Sequence, residues 1–370
     1  MHIQPFQALY PDPQLVVSEI AFFDTTRENY SHFLQHGFFC KMNSPAIFLY
    51  QIQSPRRIYT GVLASTDLKD YVQGNIKKHE NTIRSEEEKQ MRLVLERKAA
   101  VKPVLLTYAE NDLIDQWIEQ YILAHPIFLE IDFAEEQQVH RIWAVQDQRE
   151  ISQIQELFTD QVAHAYIADG HHRMSAMELI CETNENEALR QAYSQVYSAF
   201  FPSGQLDILE FNRVVQLPEN LNVKELLESF ESLFIIEPLT APTKPSQLHE
   251  MTFCTSQGWY RLCWKHSILL EYADMPAILD TMLLNEQILD KLMYINNVRH
   301  DHRIEYIDAA KGLDAIQQKI TENPNLIGFC LYPVQFDDLK NLVEAGGTMP
   351  PKSTWFEPRM KNGLIVKIYE

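Results

Sequence analysis

Ala165-Tyr166-Ile167-Ala168-Asp169-Gly170-His171-His172-Arg173 is the stretch on which the reading of this chain turns. Ala165 to Ala168 is a short apolar run that suits a buried strand. Gly170 then permits positive φ or a close backbone approach. Met174, Met177, Leu179 and Ile180 follow at helical spacing, so a helix is expected to end near Asn184. A helix N-terminus exposes unpaired N–H groups and the positive end of the helix dipole. Two histidines and an arginine in that first turn are unfavourable unless an anion sits among them, which predicts a site for a phosphate-type anion. Asp169 is a candidate helix cap, base or magnesium ligand. Zinc shared by His171 and His172 is disfavoured, because adjacent helical side chains diverge by about 100°. The competing reading is a solvated helix start on the surface.

Strand and helix patterns alternate on either side of this stretch, so the fold class is mixed α/β (α+β). Strands are expected over 58–65, from 104, over 127–132 and over 139–145, and helices over 111–125 and 151–158. A helix is predicted over 85–102, where Ser85-Glu86-Glu87-Glu88 matches a capping box and Pro103 provides the stop. The region 196–264 is richer in strands and is punctuated by Pro218, Pro238, Pro242 and Pro245. A long helix is predicted over 277–293, further helices over 309–320 and 336–344 around an apolar run at 326–332, and a last strand over 364–368. The expected organisation is a core region over 1–215 carrying the Asp169–Arg173 turn. A second α+β lobe covers 216–370, with its segment 345–370 returning to the site.

Composition narrows the function. The 370 residues are long enough to bury a sizeable core, and 45% hydrophobic with 22% charged residues is ordinary for a globular protein. The net charge of -19 opposes binding to nucleic acid or anionic lipid and favours a small anionic ligand, so neither nucleic acid nor membrane is expected as a partner. No basic segment followed by an apolar run opens the sequence, and five scattered cysteines without a C-x-x-C pair read as reduced thiols, so a cytoplasmic location is expected.

Two further stretches carry candidate chemistry. Lys77-Lys78-His79-Glu80-Asn81-Thr82-Ile83-Arg84 mixes phosphate donors with Glu80 as a candidate base, but lacks H-E-x-x-H spacing. Met349-Pro350-Pro351-Lys352-Ser353-Thr354-Trp355-Phe356 stiffens the backbone ahead of one ammonium and two hydroxyls. Each competes with a bland alternative, a solvated loop and a proline-rich turn. Glycine-rich phosphate loops, the G-x-S-x-G elbow and the kinase catalytic loop are all missing.

Taken in order, the segments Gly74–Thr82, Ile167–Arg173 and Met349–Phe356 resemble motifs of the domain-of-unknown-function 1015 family, and Pro5-Phe6-Gln7-Ala8-Leu9 fits that family's opening. The resemblance spans nearly the whole chain. One departure is a P-P-Y-D-V-type segment, usual in the family near its start, which does not occur between Leu15 and Tyr50. The D-G-H-H-R turn also resembles the signature of a superfamily containing ParB-type nucleotidases, sulfiredoxin and free-serine kinases. That resemblance implies a ParB/sulfiredoxin-like nucleotide-binding core in which the turn meets nucleotide phosphates. His171 stands where sulfiredoxin has its reactive cysteine, so thiol chemistry of that kind is not implied. Free-serine kinases share D-G-H-H-R, which makes small-molecule phosphorylation the nearest analogy.

The resulting expectation is a phosphotransferase acting between a nucleotide or other phosphate donor and a small-molecule hydroxyl, free serine first, with Mg2+ and ATP or ADP as cofactors. Gly170, His171, His172, Arg173, Lys77, His79, Thr82, Lys352, Ser353 and Thr354 are the expected phosphate and nucleotide contacts. Asp169, Glu80 and His172 are the catalytic candidates, with Asp169 or Glu80 as base or magnesium ligand. The alternatives are a regulator that binds nucleotide or phosphate without turnover, and a hydrolase of phosphate esters or nucleotides. Oligomeric state is left open.

Overall fold

A computed structural model describes residues 1–16, 18–219 and 221–369. The chain divides into two compact units, Met1–Asp207 with Pro358–Glu370, and Ile208–Glu357. The boundary falls before the expected residue 215 because Phe211–Gln216 is a strand hydrogen-bonded to two strands of the second unit. Of the expected returning segment 345–370, only the part from Pro358 onward belongs to the unit that carries the Asp169–Arg173 turn.

The first unit is built on strands β1 (Ile3–Gln4), β2 (Ala8–Pro11), β3 (Phe39–Lys41), β4 (Ile47–Gln53), β5 (Ile58–Asp67), β6 (Ile76–Lys77), β7 (Ala99–Ala100), β8 (Val104–Tyr108), β9 (Leu129–Phe133), β10 (Gln138–Val145), β11 (Ala165–Asp169) and β12 (Gln195–Pro202). Its main sheet runs in the order β6-β11-β8-β12-β5-β4-β10-β9, with β1 added to β5. β11 is parallel to β6 and β12 is parallel to β8, while the remaining pairs are antiparallel. Among the described residues the sheet is accompanied by helices α1 (Glu19–Gln35), α2 (Leu68–Val72), α3 (Arg84–Arg97), α4 (Asp112–Ala124), α5 (Gln148–Gln161), α6 (His171–Thr183) and α7 (Glu187–Tyr193). Every residue of β8 is buried, as an unbroken Val-Leu-Leu run between covered faces requires. Ile114 and Ile118 of α4, Ile154 and Phe158 of α5, and Met174 and Met177 of α6 join one apolar cluster with that strand.

The helix expected over 85–102 is shorter and begins differently. No side chain caps α3, and Ser85 lies inside it. The Ile83 N–H is instead taken by the ring of His172, and Glu87 rather than Glu88 reaches back, to the Thr82 hydroxyl. At the other end Lys98 adopts a left-handed φ of 49°, and β7 then pairs with a C-terminal strand, Val366–Ile368.

The second unit contains β13 (Asp207–Leu209), β14 (Phe211–Gln216), β15 (Phe234–Leu239), β16 (Glu250–Thr255), β17 (Gly258–Trp264), β18 (Ile304–Asp308), β19 (Leu326–Leu331) and β20 (Trp355–Glu357), before the chain returns through β21 (Val366–Ile368) to the first unit. Six of these form an antiparallel sheet, β15-β17-β16-β19-β14-β18. Its alternation is legible in the cores. Val214, Cys254 and Cys330 enter one cluster with Ile316 and Ile320 of α11 (Gly312–Glu322). Their neighbours Val215, Phe253 and Phe329 enter another, with Leu226 and Phe230 of α8 (Val223–Phe230). The remaining helices are α9 (His266–Leu270), α10 (Asp280–Leu283) and α12 (Phe336–Glu344). The long helix expected over 277–293 is a short α10 that runs into a π-helical stretch, Leu284–Asp290. The wider π turn brings Leu284, Ile288, Leu289 and Met293, each fully buried, into one core.

Among the described residues no helix is long and apolar enough to cross a membrane. Phe158 is fully buried and meets Tyr108 and Phe200 edge-on or tilted at 5.6 and 5.2 Å. Phe158→Ala is expected to lower stability by about 3–5 kcal/mol, read as a lower urea midpoint.

Candidate active site

β11 ends at Asp169, and α6 begins at His171. Gly170 between them has φ 102°, a conformation that side-chain-bearing residues rarely adopt. A Cβ on Gly170 would lie 2.6 Å from Nη2 of Arg173. The reason is that Arg173 folds back over the turn and donates to Oδ2 of Asp169 at 3.0 Å. Lys102, just before β8, places its Nζ 3.7 Å from the same oxygen. Burial opposes charge on Asp169, but Arg173, Lys102 and Arg359 outweigh it and hold the carboxyl well below its usual range. Burial pulls the Lys102 ammonium down to about 8, aided by Arg173, Arg359 and Arg27, even with Asp169 beside it.

The histidines do something other than present positive charge. His171 is buried, and its Nε2 accepts the backbone N–H of His79 at 3.4 Å. The two rings meet edge-on with centroids 4.4 Å apart. Burial, with repulsion from His172, Arg173 and Lys78, lowers His171 to about 4, although Asp169 acts the other way. Burial, and then His171, push His79 well below the usual histidine range. His171 is therefore a neutral acceptor near pH 7, which corrects the expectation that it brings a cation to the turn. His172 accepts the Ile83 N–H through Nε2 at 3.2 Å. The motif residues 79–83 are thus fastened to the first turn of α6 at both ends. Thr82 is drawn in too, its hydroxyl 3.4 Å from that of Ser175 on α6.

Lys77 occupies the last position of β6 and pairs in register with Tyr166 of β11, one strand from the turn. Lys78 is exposed, and Glu80 and Thr82 are half-buried. No acidic residue lies in the first turn of α6, and no side chain caps it. Two of the three motifs, with Asp169, Gly170, His171, His172, Arg173, Lys77, His79, Glu80 and Thr82, therefore belong to one unit.

The third motif belongs to the other unit and is occupied there. Ser353 is buried, and its hydroxyl donates to the Pro350 carbonyl at 2.7 Å and lies 3.2 Å from the Thr281 hydroxyl. Lys352 has φ 58°, its carbonyl accepts from Arg213 at 3.2 Å, and its ammonium lies 5.0 Å over the Phe211 ring. Thr354 is half-buried beside them. Among the described residues no group of three or more His, Cys, Asp or Glu side chains is placed to hold a metal ion. Lys102 was not singled out in the sequence, and neither were Arg27 and Arg97, which line a cavity with it. Their positions, 27, 97 and 102, carry no common motif.

Two outcomes follow from this geometry. Gly170→Ala should destabilise the fold by about 1–3 kcal/mol, because the left-handed turn is strained and Arg173 must move; urea unfolding measures it. The folded pKa of His171, about 4, lies below its unfolded value of 6.5, so as pH falls the unfolded chain takes up the proton first. Stability is then full above about pH 6.5 and is lost by about 3 kcal/mol on descending to pH 4, with His79 shifted in the same sense. Urea midpoints between pH 7 and 4 should fall accordingly, and less steeply in His171→Gln.

Among solved structures, the chain is similar to SbnI with a C-terminal truncation from Staphylococcus aureus, at 14% identity over 83% of this chain and 87% of that one, TM-score 0.44. It is similar to a free serine kinase in complex with AMP, at 12% identity over 82% and 92%, TM-score 0.37. A conserved hypothetical protein from Pyrococcus furiosus is similar at 12% identity over 82% and 95%, TM-score 0.35. No curated protein matches the sequence. The family described as protein of unknown function DUF1015 matches residues 9–282, a span that holds the first two motifs and ends before Met349, and the chain therefore belongs to that family.

Proposed function

We propose that the first unit binds the phosphates of a nucleotide at the start of α6 and passes a phosphoryl group to the hydroxyl of a small molecule. The observation that carries this reading is the α6 N-terminus itself. It follows a left-handed Gly170, has neither an acidic residue nor a side-chain cap, and is backed by residues 79–83 held on His171 and His172. Phosphoryl transfer depends on charge stabilisation and positioning, and backbone N–H groups on a fixed turn supply both. Lys77 and Lys78, on the strand and loop beside the turn, add cations that the neutral His171 does not. Magnesium would enter with the nucleotide, since that ion keeps several waters and relies on phosphate oxygens. Asp169 would contribute at most a single carboxylate.

Of the candidate bases, Asp169 is the weaker. Its charge is stabilised by Arg173 and Lys102, and a carboxylate so stabilised is a poor proton acceptor. Glu80 then takes the role of base. Free serine remains the first acceptor to test, on the resemblance of the D-G-H-H-R turn. The same ion pairs favour a second reading, nucleotide binding without turnover.

Titration calorimetry with ADP and ATP, joined to phosphorus NMR of protein incubated with donor, Mg2+ and serine, separates these readings. Saturable nucleotide binding and a phosphoserine signal are expected. Glu80→Gln should slow transfer by about 10²-fold or more with nucleotide affinity kept. His172→Ala, which releases Ile83, should weaken nucleotide binding. Binding without product across a wide set of acceptors would leave the regulator reading, and no binding at all would end both.

A further inference from the structure

A cavity of about 150 Å³ lies within the first unit, and its lining is unlike the rest of this acidic chain. Arg27 of α1, Arg97 of α3, Lys102 and Arg173 all border it. Leu93 of α3 and Met177 of α6 give it apolar walls. None of His79, His171, His172 or Lys77 is among its lining residues, so of the residues expected at the start of α6 it shares Arg173 alone.

Its charges do not balance. Asp169 is the carboxylate paired with Lys102 and Arg173. Arg27 and Arg97 have no carboxylate at ion-pair distance among the described residues. Arg97 instead donates to the main-chain carbonyl of Arg27. Burial, and then Arg27, lower the pKa of Arg97 although Glu28 and Glu96 act the other way, and Lys102 is lowered to about 8 in the same surroundings. Cations gathered at a partly dry wall repel one another, and an anion relieves that repulsion. An apolar cavity of about this volume has room for a six-carbon ring, so the space suits a ligand of six to ten non-hydrogen atoms.

We infer that this cavity is a second anion site, which takes a short organic dicarboxylate. One carboxylate meets the guanidinium of Arg97 with Arg27, the other meets Lys102 and Arg173, and the connecting carbons lie against Leu93 and Met177. Guanidinium groups bind carboxylates through paired hydrogen bonds, which gives the site its preference. The second carboxylate competes with Asp169 for Arg173, so occupancy reports to the turn on which α6 begins. The inference stands whether or not a phosphoryl group is transferred.

The probe is succinate, titrated calorimetrically into the full chain at constant ionic strength set with sodium chloride. One saturable site is expected, with inorganic phosphate at least tenfold weaker because it has no carbon body. Arg97→Gln and Arg27→Gln should each weaken succinate binding about tenfold or more, and Leu93→Trp, which fills the cavity, should abolish it. Arg92→Gln, on the same helix but away from the cavity, should leave it unchanged. Nucleotide titrations of the same variants should match the parent, so loss of succinate binding is distinguishable from failure of the nucleotide reading. Absence of saturable succinate binding to the parent overturns the inference. So does binding that survives Leu93→Trp, or binding matched by inorganic phosphate.

Discussion

Burial beside a second imidazole pushes His171 and His79 below the usual histidine range, and the arrangement around α6 follows from that. His171 is neutral because burial and its charged neighbours remove the proton. A neutral ring has one nitrogen free to accept, and Nε2 of His171 accepts the His79 N–H. His172, the next residue along, accepts from Ile83. Adjacent helical positions diverge by about 100°, which is why the two rings are ill suited to one metal ion. The same divergence lets them reach two separate N–H groups and hold the segment between them. What is unfavourable for a shared ligand is favourable for a two-point fastening.

With His171 neutral, Arg173 is a fixed positive charge of the turn, and it is turned back onto Asp169. Gly170 makes this possible, since any Cβ there would strike the guanidinium. The start of α6 is thereby left without a side-chain cap, while the arginine and Lys102 face a cavity behind it. One glycine thus separates two environments. In front are backbone N–H groups and the dipole; behind is a group of cations. The strand-turn-helix junction sorts charge as well as direction.

Local pattern and tertiary packing divide what was legible in the sequence. The strand at 165–169 and the helix after it were readable, because an apolar run and a helical period are both local. So was α12, whose bounds coincide with the expected 336–344. The capping box at Ser85 was not realised, because its role passed to His172, which lies 89 positions away from Ile83 in the chain. The long helix at 277–293 had the right apolar content, but a π turn presents that content to the core. Ser353 matched a phosphate-loop pattern, yet its hydroxyl is spent on Pro350 and Thr281. Arg27, Arg97 and Lys102 had no pattern to match, since nothing in one dimension marks cations that three different segments bring together.

The overall charge of -19 and the cationic cavity are compatible because they act over different ranges. Fields between exposed charges fade over about 8 Å at physiological salt, so the acidic surface governs encounters with extended polyanions. A cavity wall of Arg27, Arg97, Lys102 and Arg173 is felt by whatever fits inside it, where screening is weaker. Size therefore becomes a selector. A polymer meets the negative surface along its whole length, whereas a small anion crosses it once and then loses its hydration to arginines that hold carboxylate firmly. On the proposed reading of the α6 turn, the same logic favours nucleotide over nucleic acid, because N–H dipoles act only at contact.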